Sequence, residues 1–366
     1  MALTMRYPVA LHQRDQWILA RRGARNQLDP FKPHAFFVEK ERAESGELIS
    51  VATIFLTNRE CPWRCLMCDL WKNTLAETVP SGAILKQIDY ALSRTDGFGF
   101  LSRSDSRPAK RVRRSGGDVP PIKQIKLYNS GSFFDPRAIP PDEHEGIACR
   151  VAGFERVIVE CHPALVGKSA IRFQELLRAA GDDRQAAPAR LEVAMGLETA
   201  HPEVLKKLNK RMTIEHFRRA ANFLKKNDIA LRVFVLVKPP FLSEEEALDW
   251  VNRSVDFAFD CGATAVSLIP TRFGNGALEV LAQQGGFSPP ELATLEAALD
   301  HGVGLKRGRV FADVWDLEKF SGCGECFERR RARLQEMNLG QTLLPRVVCA
   351  CCENKGRGNR SSSGAE

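Results

Sequence analysis

Residues 51–68 read VATIFLTNRECPWRCLMC, an apolar β-branched run that ends in a loop carrying three cysteines. Cys61, Cys65 and Cys68 are separated by three residues and then by two. Three thiolates on one short loop suit three irons of a [4Fe-4S] cubane and leave the fourth iron without a protein ligand. Ferredoxin-type clusters are closed by four cysteines, so this loop reserves one iron for another molecule. Structural zinc sites pair two close ligands with a distant pair, and no fourth ligand stands near this loop. A disulfide framework fits no better. Eleven cysteines is an odd number, and the first twenty residues mix Arg6, Arg14 and Asp15 into the chain where a leader would be apolar. The expected compartment is reducing cytoplasm, where cysteines at such spacings act as metal ligands.

Beyond this loop, apolar runs recur at 51–57, 122–129, 156–160, 191–198, 231–237 and 264–269, each followed by a helical pattern. Runs that are apolar on both faces predict a parallel sheet flanked by helices. The segment after the fourth run shows the pattern well. Thr213, Glu215 and His216 open it, Phe217, Ala220, Ala221 and Leu224 recur at helical spacing, and Lys225 and Lys226 load its last turn before Asn227-Asp228. The expected fold class is α/β, with six βα units, too few for a closed eight-stranded barrel, and with the chemistry at the C-terminal strand ends.

Three pieces fall outside a core of 51–304. Residues 1–50 form an N-terminal extension, and residues 96–120 a Gly/Ser/Arg-rich insertion with Arg103, Arg107, Lys110, Arg111, Arg113 and Arg114. That insertion is either a solvated loop or a phosphate-gripping arm. Residues 305–366 form a Cys-rich metal-binding module with a disordered tail. Its Cys323-x2-Cys326 and Cys349-x2-Cys352 have nearly zinc-ribbon spacing. Zn²⁺, an auxiliary iron–sulfur cluster and free thiols all remain open there, and Cys351 competes with Cys352 as a ligand. The intervening Arg329, Arg330, Arg331 and Arg333 make either an RNA-facing patch or a salt-laced helix. Cys149, Cys161 and Cys261 read as buried apolar residues. The net charge of +8 favours an acidic partner such as nucleic acid, and no apolar run is long enough to span a bilayer.

The segments TNRECPWRCLMCDLW, KLYNSGSFFDP, AMGLET and VLVKPPFLSE, in this order, resemble the radical S-adenosylmethionine (SAM) superfamily, and within it the radical subunits of archaeosine synthase. The resemblance implies an open three-quarter (βα)6 barrel, which the six βα units match and in which SAM completes the cluster through its amino and carboxylate groups, and the C5′–S bond is broken reductively to give a radical that abstracts hydrogen. Met67 stands where the superfamily usually has an aromatic. By the same resemblance, Ser130 and Gly131 occupy the place of a glycine-rich stretch that meets the SAM amino group. Glu160 is the candidate for a ribose or amino contact, with His162 where related chains carry arginine. Glu198 is a polar ribose contact, and Lys210, or Arg211 beside it, pairs with the SAM carboxylate. Lys238 lies near substrate as the candidate catalytic residue. The implied reaction is C–N cleavage on a lysine-bearing deazaguanine-type base in tRNA. It implies a partner enzyme that supplies the adduct and an electron donor. Other classes compatible with the sequence are a radical SAM enzyme on a small biosynthetic intermediate and a non-catalytic metal-bearing RNA-binding protein.

Overall fold

All six apolar runs are strands, and they belong to a larger sheet. The computed structural model describes residues 6–95, 121–181 and 187–352. Its strands follow one another in chain order across a single eight-stranded sheet: β1 Ala35–Arg42, β2 Leu48–Phe55, β3 Ile122–Tyr128, β4 Arg156–Glu160, β5 Arg190–Glu198, β6 Ala230–Val237, β7 Ala265–Pro270 and β8 Arg309–Ala312. From β2 to β8 every pairing is parallel, while β1 runs antiparallel to β2. The six-unit expectation is therefore extended by one strand at each edge. AFFVEKER is apolar in its first half and charged throughout its second, and RVFA is only four residues long; neither has the long apolar run that marks a strand buried on both faces.

The helices are α1 Leu11–Leu19, α2 Ala83–Thr95, α3 His144–Val151, α4 Lys168–Ala179, α5 Pro202–Lys207, α6 Ile214–Lys226, α7 Glu244–Asp260, α8 Ala277–Gln283, α9 Leu292–Gly304 and α10 Gly324–Gly340. α6 starts where its capping residue dictates: the Thr213 Oγ1 accepts the His216 N–H at 3.3 Å. Its Phe217, Ala220, Ala221 and Leu224 face inward. The main core fills the space between helices and sheet, with Phe173, Phe217, Val255 and Leu299 against Leu127, Val159, Val193 and Val233. The insertion 96–120 and residues 353–366 lie outside the described residues.

The opposite face of the sheet is charged at its base. Arg232 of β6 reaches Glu41 at 2.5 Å and Glu192 at 2.7 Å, Arg156 of β4 reaches Glu192 at 2.7 Å, and Lys126 of β3 reaches Glu41 at 2.6 Å. Arg156, Glu192 and Arg232 sit in the first halves of their parallel strands and Lys126 just past the middle of β3, with Glu41 near the end of antiparallel β1. Side chains two residues apart on a strand share a face, so Tyr128 and Phe234 stand one step above Lys126 and Arg232. Their rings are 5.9 Å apart, and Tyr128 is also 5.9 Å from Phe55. The inside of the curled sheet thus has an ionic floor, an aromatic wall and a polar rim.

Candidate metal and cofactor site

The rim is where the strands end and the backbone departs from regular geometry. Ser130, Glu198 and Lys238 close β3, β5 and β6, and all three adopt left-handed backbone angles, with φ of 52°, 66° and 52°. Such conformations cost on the order of 1–3 kcal/mol in non-glycine residues and gather at functional sites. A register shift between Gly196 and Glu198 marks a bulge at the end of β5, which re-aims the Glu198 side chain.

The cysteine loop follows β2 and is clamped from three directions. The Leu66 N–H donates to the Leu208 carbonyl at 2.8 Å, and the Asn209 amide donates to the Arg64 carbonyl at 2.7 Å and to Asp15 of α1 at 2.8 Å. Asn275 donates to the Leu66 carbonyl at 2.7 Å, while its oxygen accepts the Ala277 and Leu278 amides that open α8. Leu66 is buried among Trp17, Ile18, Leu278 and Leu281, and Met67 lies at the edge of that packing. The loop is therefore a fixed platform. Burial raises the thiol pKa of Cys61, takes Cys65 to about 12 and drives Cys68 well above the ordinary range. Buried thiols of this kind become thiolates when a metal ligates them.

Facing the loop are the groups predicted from β3, β4 and β5. Glu160 accepts the Asn129 N–H at 2.5 Å and the Gly131 N–H at 3.2 Å. A Cβ on Gly131 would come within 2.9 Å of the Cys61 Cβ, so glycine is needed for the close approach of this turn. Lys210 is buried and pairs with Glu198 at 2.5 Å, and the nearby Cys65 adds to the raising of its pKa. Arg211 instead lies outside, 2.9 Å from Asp15. His162 stacks on Trp63 with 3.7 Å between ring centres. Its Nδ1 accepts the Ala164 N–H at 3.2 Å, which leaves Nε2 to donate to the Lys210 carbonyl at 2.9 Å. Burial, with Lys210 nearby, lowers its pKa to about 3, so it is neutral. Lys238 stands apart from this group. Its ammonium is held by Glu244 at 2.6 Å, Ser288 at 2.8 Å and the Pro289 carbonyl at 3.3 Å, which takes up all three donors.

A second group lies in the C-terminal segment. The Sγ atoms of Cys323, Cys326, Cys349 and Cys352 all lie within 4.8 Å of one another. Cys352, not Cys351, completes this group; Cys351 is exposed. Cys149 departs from its expected burial and is exposed on α3, whereas Cys161 and Cys261 are buried.

No family model matches the chain. An uncharacterized protein of Methanocaldococcus jannaschii is 22% identical over 89% of this chain and 87% of its own length. The archaeosine synthase subunit beta of Methanosarcina acetivorans is 25% identical over 68% of this chain and 65% of its own length, just under two thirds of that relative. The three-cysteine loop stands at the mouth of a curled, mostly parallel sheet, and this similarity agrees with it. Both are features that the resemblance to radical SAM enzymes implies. Methylornithine synthase, among solved structures, overlays with a TM-score of 0.47 at 14% identity, over 78% of this chain and 69% of the other.

That resemblance implies an iron–sulfur cluster and SAM, and the rim residues are of a kind that would fit both. The Asn129 side chain is fully buried at the end of β3, yet neither its oxygen nor its nitrogen has a partner. A buried, unpaired amide is costly and marks a place where a polar ligand group belongs. Asn129, Asn209 and Asn275 were not singled out by sequence reasoning. An isolated asparagine beside a strand or helix carries no pattern, and only the choice of Ser130 next to Asn129 and of Lys210 next to Asn209 pointed near two of them.

Glu160 also gives a pH signature. Burial raises its carboxyl to about 6, opposed by the amides of Asn129, Gly131 and Ser130. The folded chain then holds more protons than the unfolded chain between its ordinary value of 4.5 and about 6. Stability from this group is thus lost as pH rises through that window and is level above it. Glu160→Gln keeps an acceptor and removes the titration. Urea unfolding of this variant should lack a decline of about 1–2 kcal/mol between pH 4.5 and 6 that the parent shows; identical curves for the two proteins would refute the assignment.

Proposed function

We propose that this enzyme modifies a deazaguanine-type base in tRNA by C–N cleavage, in the manner of archaeosine synthase, in reducing cytoplasm, with a partner enzyme that prepares the base adduct and a separate electron donor. The similarity to an archaeosine synthase subunit beta over 68% of the chain carries this reading. In it, Cys61, Cys65 and Cys68 hold a [4Fe-4S] cluster, and Zn²⁺ occupies the C-terminal tetrad. Ser130, Gly131, Glu160, Glu198 and Lys210 receive SAM. When bound, cluster and SAM supply one-electron chemistry that removes a hydrogen atom from substrate.

The chain's own groups position and exclude. Glu160 holds the 129–131 turn open by accepting its amides, and Lys210, whose charge Glu198 balances, offers an ammonium to a carboxylate. His162, neutral and stacked on Trp63, fixes the Lys210 backbone without adding charge. Phe55, Tyr128 and Phe234 present ring faces and edges suited to a planar base, and the ionic floor beneath them closes the chamber against water. Lys238, with its donors engaged, serves as a rim residue near substrate and not as a proton carrier. No helix of the described residues is long and apolar enough to cross a membrane.

Mass spectrometry of tRNA nucleosides from cells with and without the gene tests the reading. The formamidino base should disappear and the lysine-bearing precursor accumulate in the deletion; an unchanged nucleoside profile would overturn it. The basic insertion supplies a second check. Replacing Arg111, Arg113 and Arg114 together should weaken tRNA binding at low salt and reduce the slope of log affinity against log salt by about 2–3, since each phosphate contact contributes about 0.9. SAM cleavage without tRNA should stay at the parent rate.

A further inference from the structure

The C-terminal tetrad has the dimensions of a single-ion site. Cys323 and Cys349 sulfurs are 4.0 Å apart, and Cys326 and Cys352 sulfurs 3.6 Å apart. Four thiolates around one tetrahedral ion at about 2.3 Å stand about 3.8 Å from one another. Thiolates on a cubane ligate separate irons and are spread more widely. Two of the ligands sit at the N-terminal end of α10, where Cys323 precedes the helix and Cys326 lies in its first turn. The other two lie on the segment that returns to it.

The far end of α10 does something else. β8 is an edge strand, whose outward N–H and C=O groups would otherwise lack partners. Asn338 accepts the Ala312 N–H and donates to the Ala312 carbonyl, both at 2.8 Å. Gln341 accepts the Val310 N–H at 2.7 Å and donates to the Val310 carbonyl at 2.9 Å. Two side-chain amides thus take the place of a ninth strand. On the other edge, Arg42 of β1 donates to the Leu339 carbonyl at 2.7 Å, and Arg309 of β8 reaches the Arg42 carbonyl at 3.3 Å. The body of the helix is tied to α9 by Arg330–Glu296 at 2.6 Å and Arg333–Asp300 at 2.5 Å. These two arginines are therefore committed to the salt-laced alternative and are not an RNA-facing patch.

We propose that Cys323, Cys326, Cys349 and Cys352 hold one tetrahedral zinc-class divalent ion, and that this ion fastens α10 as the latch across the open side of the barrel, between β1 and β8. The ion cross-links the start of the helix to residues 349–352, so the helix cannot swing away from the edge it caps. This role goes beyond the zinc assignment above and does not depend on which substrate the barrel takes.

The test uses the full chain. In a Cys61→Ala/Cys65→Ala/Cys68→Ala variant, elemental and sulfide analysis should give one zinc per chain and no acid-labile sulfide. In Cys326→Ser, zinc should be lost and hydrogen exchange at the Val310 and Ala312 amides should quicken by about tenfold or more. Asn338→Ala should quicken exchange at Ala312 with zinc retained, which shows that the readout follows the latch. If Cys326→Ser does not fold, removing zinc from the folded parent with a chelator gives the same comparison. Iron with sulfide in the tetrad, no bound metal, or zinc loss with unchanged exchange at both amides would each overturn the proposal.

Discussion

Cys65→Ala is expected to reduce 5′-deoxyadenosine formation from SAM, under dithionite and strict anaerobiosis, to the level without enzyme. Cys65 is the middle cysteine of the loop, is flanked electrostatically by Lys210 and Cys61, and its thiol is pushed to about 12 by burial. Two remaining cysteines cannot hold three irons, and no other cysteine is available at the platform that Leu208, Asn209 and Asn275 hold in place. Iron bound by the barrel should fall with the activity. Cys149→Ala, at an exposed position on α3, should match the parent in both measurements. Full turnover in Cys65→Ala would remove the basis for assigning the loop to the cluster.

The second large effect concerns stability. Arg232→Met should destabilise the chain by about 3–5 kcal/mol, the usual consequence of removing one partner from a buried ionic set. Arg232 is 2% exposed, and the change leaves Glu41 and Glu192 buried with less compensation. Burial opposes ionisation of both carboxylates, but Arg232 and its neighbours outweigh it and hold Glu192 at about 2 and Glu41 well below its ordinary value. Because these pKa values are depressed on folding, the contribution is present above about 4.5 and is lost as pH falls from there toward 2. Arg232→Met should flatten that acid limb of the stability curve as well as lower the plateau. Adding Glu41→Gln and Glu192→Gln should recover part of the loss, since an uncharged set no longer carries unbalanced buried carboxylates. A urea midpoint within error of the parent would show that the floor is not a stability determinant.

Much of this was legible because it rests on local chemistry. Thr213 and its following apolar positions specify α6 wherever it sits, and the β-branched runs specify the parallel strands because both faces must be buried. Gly131 was picked for close approach of the backbone to a ligand; the structure adds a separate constraint, since a Cβ there would lie 2.9 Å from the Cys61 Cβ. The choice between Lys210 and Arg211 was open in the sequence, where the two are adjacent. Burial separates them: one enters the barrel and pairs with Glu198, the other faces Asp15 at the surface. The arginines of α10 show the limit of reading charge alone, because a run of basic residues looks the same whether it meets phosphate or Glu296 and Asp300 across a helix interface.

By itself the sequence singled out the cysteine loop and specified six of the eight strands of the sheet. The spacing of three thiolates on one loop is a local pattern, and apolar periodicity requires no partner to be recognised. Tertiary structure alone decided what depends on residues far apart in the chain: that Glu41, Lys126, Glu192 and Arg232 form one floor, that Asn209 and Asn275 clamp a loop some 140 and 210 residues away, that Cys352 and not Cys351 joins the tetrad, and that Asn338 and Gln341 cap a strand edge. The physical reason is that an amide, a carboxylate or a guanidinium has no function of its own in a linear pattern; its role is set by the group it meets after the chain has closed on itself.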